Sequence, residues 1–267
     1  MNNTVIDSCA FTGHWPFRKM VGETVASNAA RAEKAKITHM VVSNLNAIFY
    51  VDPMEGNYEL LEEVKAYKGN VKLLPFAVIN PTYIEWERDL RECANLGFSG
   101  IQLAPQYHGY APSIPDARKL YALCGELGLA VKIDMGWENI RQRTRLDVHF
   151  DLTGDDIAPL LSASAKTVTI ISTSASYALG ASTAIINSRD NIFVNIIYFD
   201  SFTNASLENA LKTYTSKRLC FGTQNPFRYI DVQYAKLFAG DGFGYEITDE
   251  MREDILYGNL QGKIKGC

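Results

Sequence analysis

Residues 100–135 read GIQLAPQYHGYAPSIPDARKLYALCGELGLAVKIDM. The stretch opens on a short apolar run, Gly100 to Leu103, and closes on a second one, Ala130 to Met135. Between them, Ile114 to Leu127 has helical period, with Pro115 near its first turn and Gly128 where a helix would stop. Two apolar runs joined by a helix read as parallel strands with a crossover, the βα unit of an α/β fold.

The same unit repeats in both directions. Upstream lie apolar runs at Thr4–Ala10, Ile37–Ser43 and Val71–Ile79. Helical stretches follow them at Glu23–Lys36, at Asn57–Tyr67, and from Asn80-Pro81 to near Gly97. Downstream, a polar connection from Gly136 to Gly154 leads to a helix at Asp155–Ser162. Further runs follow at Thr167–Ile171, Asn191–Tyr198 and Arg218–Gly222, with helical stretches at 174–188, 207–214, 232–238 and 248–256. Eight such units in 267 residues predict a single-domain (β/α)8 TIM barrel spanning residues 1–267. An open doubly wound sheet would want a phosphate-binding glycine loop after its first strand, and Thr12-Gly13-His14 is not one.

Composition narrows the partners. Hydrophobic residues are 47% and charged residues 21% of the chain, ordinary for a globular protein. With 26 basic and 30 acidic side chains the net charge is −4. That gives no global field for phosphate backbones, so no nucleic-acid partner is expected. No apolar run approaches the roughly 18–20 residues that span a bilayer, so no membrane partner is expected either. The N-terminus lacks a basic segment followed by an apolar one, and a cytoplasmic protein without a signal peptide is expected. Five scattered cysteines, with no CxxC and no Cys/His cluster, imply neither a disulfide framework nor a structural zinc site.

In a barrel of this kind the chemistry sits at the C-terminal ends of the strands. Period-two alternation then gives a short inventory: Asp7, Cys9 and Phe11 on the first strand, and Gln102 and Ala104 on the fourth. The fifth offers Lys132 and Asp134, the sixth ends at Ser172-Thr173, and the eighth ends at Thr223-Gln224-Asn225.

Several of these segments resemble the amidohydrolase-related family. Ile6-Asp7-Ser8-Cys9-Ala10-Phe11-Thr12-Gly13 resembles its opening I-D-x-H-x-H-x-G. Residues 97–105, GFSGIQLAP, are similar to G-F-x-G-[IV]-K-L-H-P, and residues 131–136, VKIDMG, to V-x-I-H-x-G. Residues 221–227, FGTQNPF, resemble F-G-[ST]-D-x-P-[FW], and residues 255–259, ILYGN, the closing I-L-x-x-N. The resemblance implies a barrel with a pocket at its mouth. It also implies a metal held by the two first-strand His, a fifth-strand His, sometimes a sixth-strand His, and an eighth-strand Asp. Here those positions carry Cys9 and Phe11, Asp134, Ser172 or Thr173, and Gln224. A phenyl ring is no ligand, and an amide can neither be an anionic ligand nor take a proton from water. No bound metal and no other cofactor is therefore expected. The similar 2-pyrone-4,6-dicarboxylate lactonases, which work without metal, use the eighth-strand Asp as base, and that position too is Gln224.

The remaining candidates are individual groups. Asp134 and Asp7, if both faced one cavity, could have their pKa values driven apart and act as acid or base. The alternative is a buried ion pair between Asp7 and Lys132. A Schiff base on Lys132 would need a depressed pKa. Cys9 could be a nucleophile if a base such as His14 reached it, or a small buried thiol. In the loop Gly13-His14-Trp15-Pro16-Phe17-Arg18, Arg18 could bind a substrate carboxylate. Trp15, Gln102, His108, Gln224 and Asn225 complete the expected substrate-binding set. His39 and His149 have no comparable placement. Aromatic residues near the strand ends (Phe11, Trp15, Phe49, Tyr50, Tyr107, Trp137, Tyr198 and Phe227) suit either a pocket for a flat small molecule or packing over the mouth.

Three functions fit this reading. One is a divergent amidohydrolase-like barrel with a degenerate metal site that binds a small molecule or is inactive. Another is a metal-independent hydrolase, lactonase or lyase acting on a small carboxylated or cyclic metabolite through Asp134, Asp7, His14 and Cys9. The last is a non-catalytic partner of an active paralogue. A homo-oligomer is compatible with all three.

Overall fold

Eight parallel strands pair in sequence order, β1 Ile6–Thr12, β2 His39–Asn44, β3 Lys72–Val78, β4 Gly100–Leu103, β5 Ala130–Asp134, β6 Thr169–Ser172, β7 Ile192–Asn195 and β8 Leu219–Cys220. The computed structural model describes residues 4–138, 141, 143–147, 150–173, 179–199, 206–238 and 246–267. β8 is short, and the segment after it closes the ring. Phe221 O accepts from Ser8 N (3.0 Å), Cys9 O from Gln224 N (2.7 Å) and Asn225 O from Phe11 N (2.8 Å). The result is the (β/α)8 TIM barrel expected from the repeated units.

Helices cover the outside: α1 Val25–Lys34, α2 Asn46–Phe49, α3 Pro53–Ala66, α4 Trp86–Leu96, α5 Pro105–His108, α6 Pro115–Leu127, α7 Gly154–Leu161, α8 Ala181–Asn187, α9 Ser206–Tyr214, α10 Ile230–Phe238 and α11 Asp249–Glu253. Local chemistry sets their ends. Thr24 caps α1 by accepting from Ser27 N, and Thr153 with Asp156 forms a capping box on α7. Gly128 stops α6 at φ +68°. The helix expected from Asn80-Pro81 starts later, at Trp86. The Asn80 carboxamide accepts from Thr82 N (3.0 Å) and turns the chain first. The short helices α2 and α5 lie in loops where no periodicity could reveal them. His149, and residues 174–178 of the weak helix at 174–188, lie outside the described residues.

Three apolar layers fill the molecule. The largest lies between sheet and helices and takes Met40, Val42, Ile101, Leu103, Val131, Ile133, Ile171 and Val194 from the strands. The lower barrel interior holds Ile6, Val41, Leu74, Phe76, Ala130, Ile170, Phe193 and Cys220, plugged by Leu260 and Ile264. The upper interior holds Cys9, Phe11, Val78 and Ala104 under Trp15 and Trp137. Strand parity follows. With Ala130 inside and Val131 and Ile133 outside, Lys132 and Asp134 point inward, as do Gln102 and Ser172 on β4 and β6.

Candidate functional site at the barrel mouth

β5 supplies the centre of the site. Lys132 is fully buried, and its Nζ lies 3.7 Å from Cys9 Sγ and 4.2 Å from the centroid of the Phe11 ring. One polarisable thiol and one aromatic face are thus its partners, although an ammonium carries three donors. Asp134, one strand layer higher, accepts from Cys9 Sγ–H through Oδ1 at 3.6 Å. Its Oδ2 has no hydrogen-bond partner. Burial raises the Asp134 pKa, opposed by Lys132 and by the flanking Ser172, Gln102 and Cys9. The Cys9 pKa is pushed well above its ordinary value, by burial first and by the Asp134 charge second. Cys9 is therefore a thiol at neutral pH and a poor nucleophile.

Around this group stand further buried polar atoms without partners: Ser172 Oγ, Thr173 Oγ1, Gln102 Oε1 and Trp137 Nε1. Register places two of them at the centre, since Gln102 pairs with Lys132 and Ser172 with Asp134. A buried polar atom left unpaired costs about 1–3 kcal/mol.

Asp7 does not join them. It pairs in register with Met40, whose side chain packs among the helices, and its charge is felt by Tyr234 of α10. A register irregularity between Asp7 and Ala10 then brings Cys9 and Phe11 to the inside. Asp7 instead ties β1 to the end of β8. Its Oδ1 accepts from Cys9 N (3.0 Å) and Thr223 N (2.9 Å), and its Oδ2 from Thr223 Oγ1 (2.5 Å). Burial raises its pKa to about 6 against those hydrogen bonds and the more distant Lys132. The expected Asp7–Lys132 ion pair does not form, so the expectation that both carboxylates face one cavity is corrected. The bulge that separates them leaves no trace in a period-two pattern.

The loops close over the mouth. Trp15 and Trp137 stack at 5.8 Å, with Tyr107 and Phe227 edge-on to Trp15. These ring contacts pack the loops over the mouth. Arg18 is spent differently from expectation. Its Nε pairs with Glu138, whose side chain is 2% exposed, and it lies near the Phe227 ring. Glu138 was not among the expected residues, because only the loop path brings it to Arg18. Gln224 donates to Trp137 O (3.2 Å) and accepts from Arg228 Nε (3.0 Å), so its amide fastens two loops. Asn225 donates to Asn28 Oδ1 (3.1 Å), and its own Oδ1 accepts from Arg31 (3.3 Å).

The histidines lie elsewhere. His14 has a side chain 65% exposed and pairs with Glu23 at 3.6 Å, and no Cys9–His14 dyad forms. His108 donates through Nε2 to Ile48 O (3.2 Å), and burial lowers its pKa to about 4. Its Nε2 is thus committed to a loop contact, while Nδ1 is buried without a hydrogen-bond partner. Among the described residues no group of three or more His, Cys, Asp or Glu is placed to hold a metal ion.

A fold of this kind with its side chains converging at the strand ends agrees with the sequence comparisons. The amidohydrolase family model matches residues 15–160, more than half of the chain, and the chain belongs to that family. Among solved structures, 2,6-dihydroxybenzoate decarboxylase from Rhizobium is similar with a TM-score of 0.65 and 14% identity, over 97% of each chain. The dihydroxybenzoic acid decarboxylase of a Polaromonas species, with bound manganese and the inhibitor 2-nitroresorcinol, gives 0.63 and 15%, over 98% of this chain and 96% of that one. A probable 2-pyrone-4,6-dicarboxylic acid hydrolase from Acinetobacter baumannii, with citric acid bound, gives 0.61 and 13%, over 96% and 97%. At such identities the likeness is one of fold. No curated protein matches significantly by sequence. No helix among the described residues is long and apolar enough to cross a membrane.

Proposed function

We propose that this barrel binds a small carboxylated aromatic or cyclic molecule at its mouth, and that the Lys132 ammonium supplies the positive charge there. The observation that carries the reading is the buried, under-partnered Nζ of Lys132, 3.7 Å from Cys9 Sγ and beside unpaired polar atoms. A buried cation with so little compensation costs several kcal/mol, a cost that a bound anion would remove.

The donor set does not fit a divalent metal. Among the described residues, Cys9 and Asp134 are the groups with ligand chemistry that the strand ends bring together, and burial holds Cys9 protonated. Phe11 offers no donor atom, and the Gln224 amide is turned toward Trp137 and Arg228. The ammonium already lies against Cys9, where it would repel a second cation. Each group has a part in binding. Lys132, with the hydroxyl of Ser172, receives a carboxylate, while Asp134, its pKa raised by burial, stands beside them. The Trp15–Trp137 lid moves aside on entry and excludes water on closing. The ligand class is supported by the neighbours, which include proteins named for dihydroxybenzoates and a pyrone dicarboxylic acid. Metal-dependent hydrolysis is not part of this reading. A second reading, metal-independent acid–base chemistry, is favoured by the free Oδ2 of Asp134.

Calorimetric titration of chelator-treated protein with 2,6-dihydroxybenzoate and with 2-pyrone-4,6-dicarboxylate tests the proposal. Saturable binding of either, lost in Lys132→Met, is expected. Binding that appears only after manganese is added overturns it.

A further inference from the structure

Beside the mouth, sharing Arg18, Asn225 and Phe227 with the loops that close it, runs a groove of about 680 Å3 between the loop after β1, the C-terminal half of α1 and the loop after β8. Arg18, Lys19, Arg31, Lys34 and Arg228 line it, against a single carboxylate, Asp231. On a chain of net charge −4 this is a local reversal of sign. Arg18 is neutralised by Glu138. The other four cations have no anionic partner within 4.0 Å among the described residues, since the ion pairs lie elsewhere.

Two of those four are held in place by neutral groups. Arg31 donates to Val21 O (2.6 Å) and Asn225 Oδ1 (3.3 Å). Arg228 donates to Gln224 Oε1 (3.0 Å) and stacks on Tyr198, 4.1 Å from its centroid. The backbone makes room for the first. Gly22 has φ +95°, and a Cβ there would fall 2.8 Å from the Arg31 guanidinium. Guanidinium groups fixed without loss of charge are suited to oxyanions, which they bind through paired N–H donors. The exposed Lys19 and Lys34 add charge at the rim. The volume falls within the roughly 300–1,000 Å3 of small-molecule sites and exceeds what a lone inorganic ion would fill.

We infer that this groove binds a small organic oxyanion carrying two or more negative charges, a phosphate ester or a polycarboxylate. The shared chemistry is the multivalent oxyanion, and the two sources are separable by probe.

The test is calorimetric titration at low salt with inorganic pyrophosphate, with citrate and with the monovalent control acetate. The parent is compared with Lys19→Glu/Lys34→Glu, both exposed positions outside the mouth, after circular dichroism shows that the variant is folded. Saturable binding of pyrophosphate or citrate is expected, weakened roughly tenfold or more in the double variant and by added salt, with none for acetate. Preference for pyrophosphate assigns a phosphate ester, and preference for citrate a polycarboxylate. Absence of saturation by about 10 mM of both probes, or equal affinity in parent and variant, overturns the inference. Arg31→Met gives a second check. It removes a fixed fork while leaving the lysines, and unchanged affinity there also counts against the site.

Discussion

Lys132→Met removes the charge on which the proposed function rests while keeping an unbranched side chain of similar length. The ammonium it deletes is fully buried and touches a thiol at 3.7 Å and a ring face at 4.2 Å. A desolvated cation–π contact is worth about 2 kcal/mol, and a thiol is a weak acceptor. The penalty for burying an ammonium is several kcal/mol after relaxation. Asp134 and Asp7 attract the charge, but no carboxylate lies within ion-pair distance of Nζ, and the raised pKa of Asp134 lets it take a proton when the cation is gone. A methionine sulfur also packs well on the Phe11 ring. The expected net effect is stabilisation by about 1–3 kcal/mol. For a chain of this length that is a rise in Tm of about 2–10 °C. Differential scanning calorimetry at pH 7, with urea unfolding as a check, measures it. Lys132→Ala serves as the contrast, because the cavity it opens should cost about 2–4 kcal/mol. A loss of 3 kcal/mol or more in Lys132→Met, by that ~3–5 kcal/mol measure of a broken buried pair, would show the ammonium to be a structural anchor and refute the reasoning.

Other outcomes are equally open to measurement. The Asp7 pKa is raised from 3.8 to about 6, so the folded protein keeps a proton that the unfolded chain has released between those values. Stability from this group is full below about pH 4 and falls by about 3 kcal/mol as pH rises through 6. Urea unfolding from pH 4 to 7 should show that slope in the parent and a flatter one in Asp7→Asn, and equal slopes would contradict it. Arg18→Met leaves the buried Glu138 carboxylate without its partner, and because Arg18 is partly exposed the expected cost is about 1–3 kcal/mol. Adding Glu138→Gln should recover most of that loss, and a double-mutant cycle showing additivity would mean that the pair carries no coupling.

The fold was legible because each βα unit carries its own period and its own stop signals. Ala130 to Asp134 alternates toward the two layers as the pattern predicts, and Gly128 ends α6 as expected. Lys132, Asp134, Gln102 and Cys9 were placed by the same alternation. Asp7 was not, because the irregularity after it shifts β1 by one residue and parity across a bulge is not conserved. Glu138 and the Trp15–Trp137 contact depend on loop paths that bring together residues more than a hundred positions apart. His14 misled for the converse reason. Its nearness to Cys9 in sequence ends in a loop that carries the imidazole to Glu23 at the surface.

The claim that Lys132 takes the place of a metal is tested most directly by thermal melts of chelator-treated protein with and without added zinc or manganese. A metal at 100 times its Kd would add about 2.7 kcal/mol to the folded state. The account predicts no shift in Tm with either ion. A rise of several degrees that Asp134→Asn abolishes would contradict it.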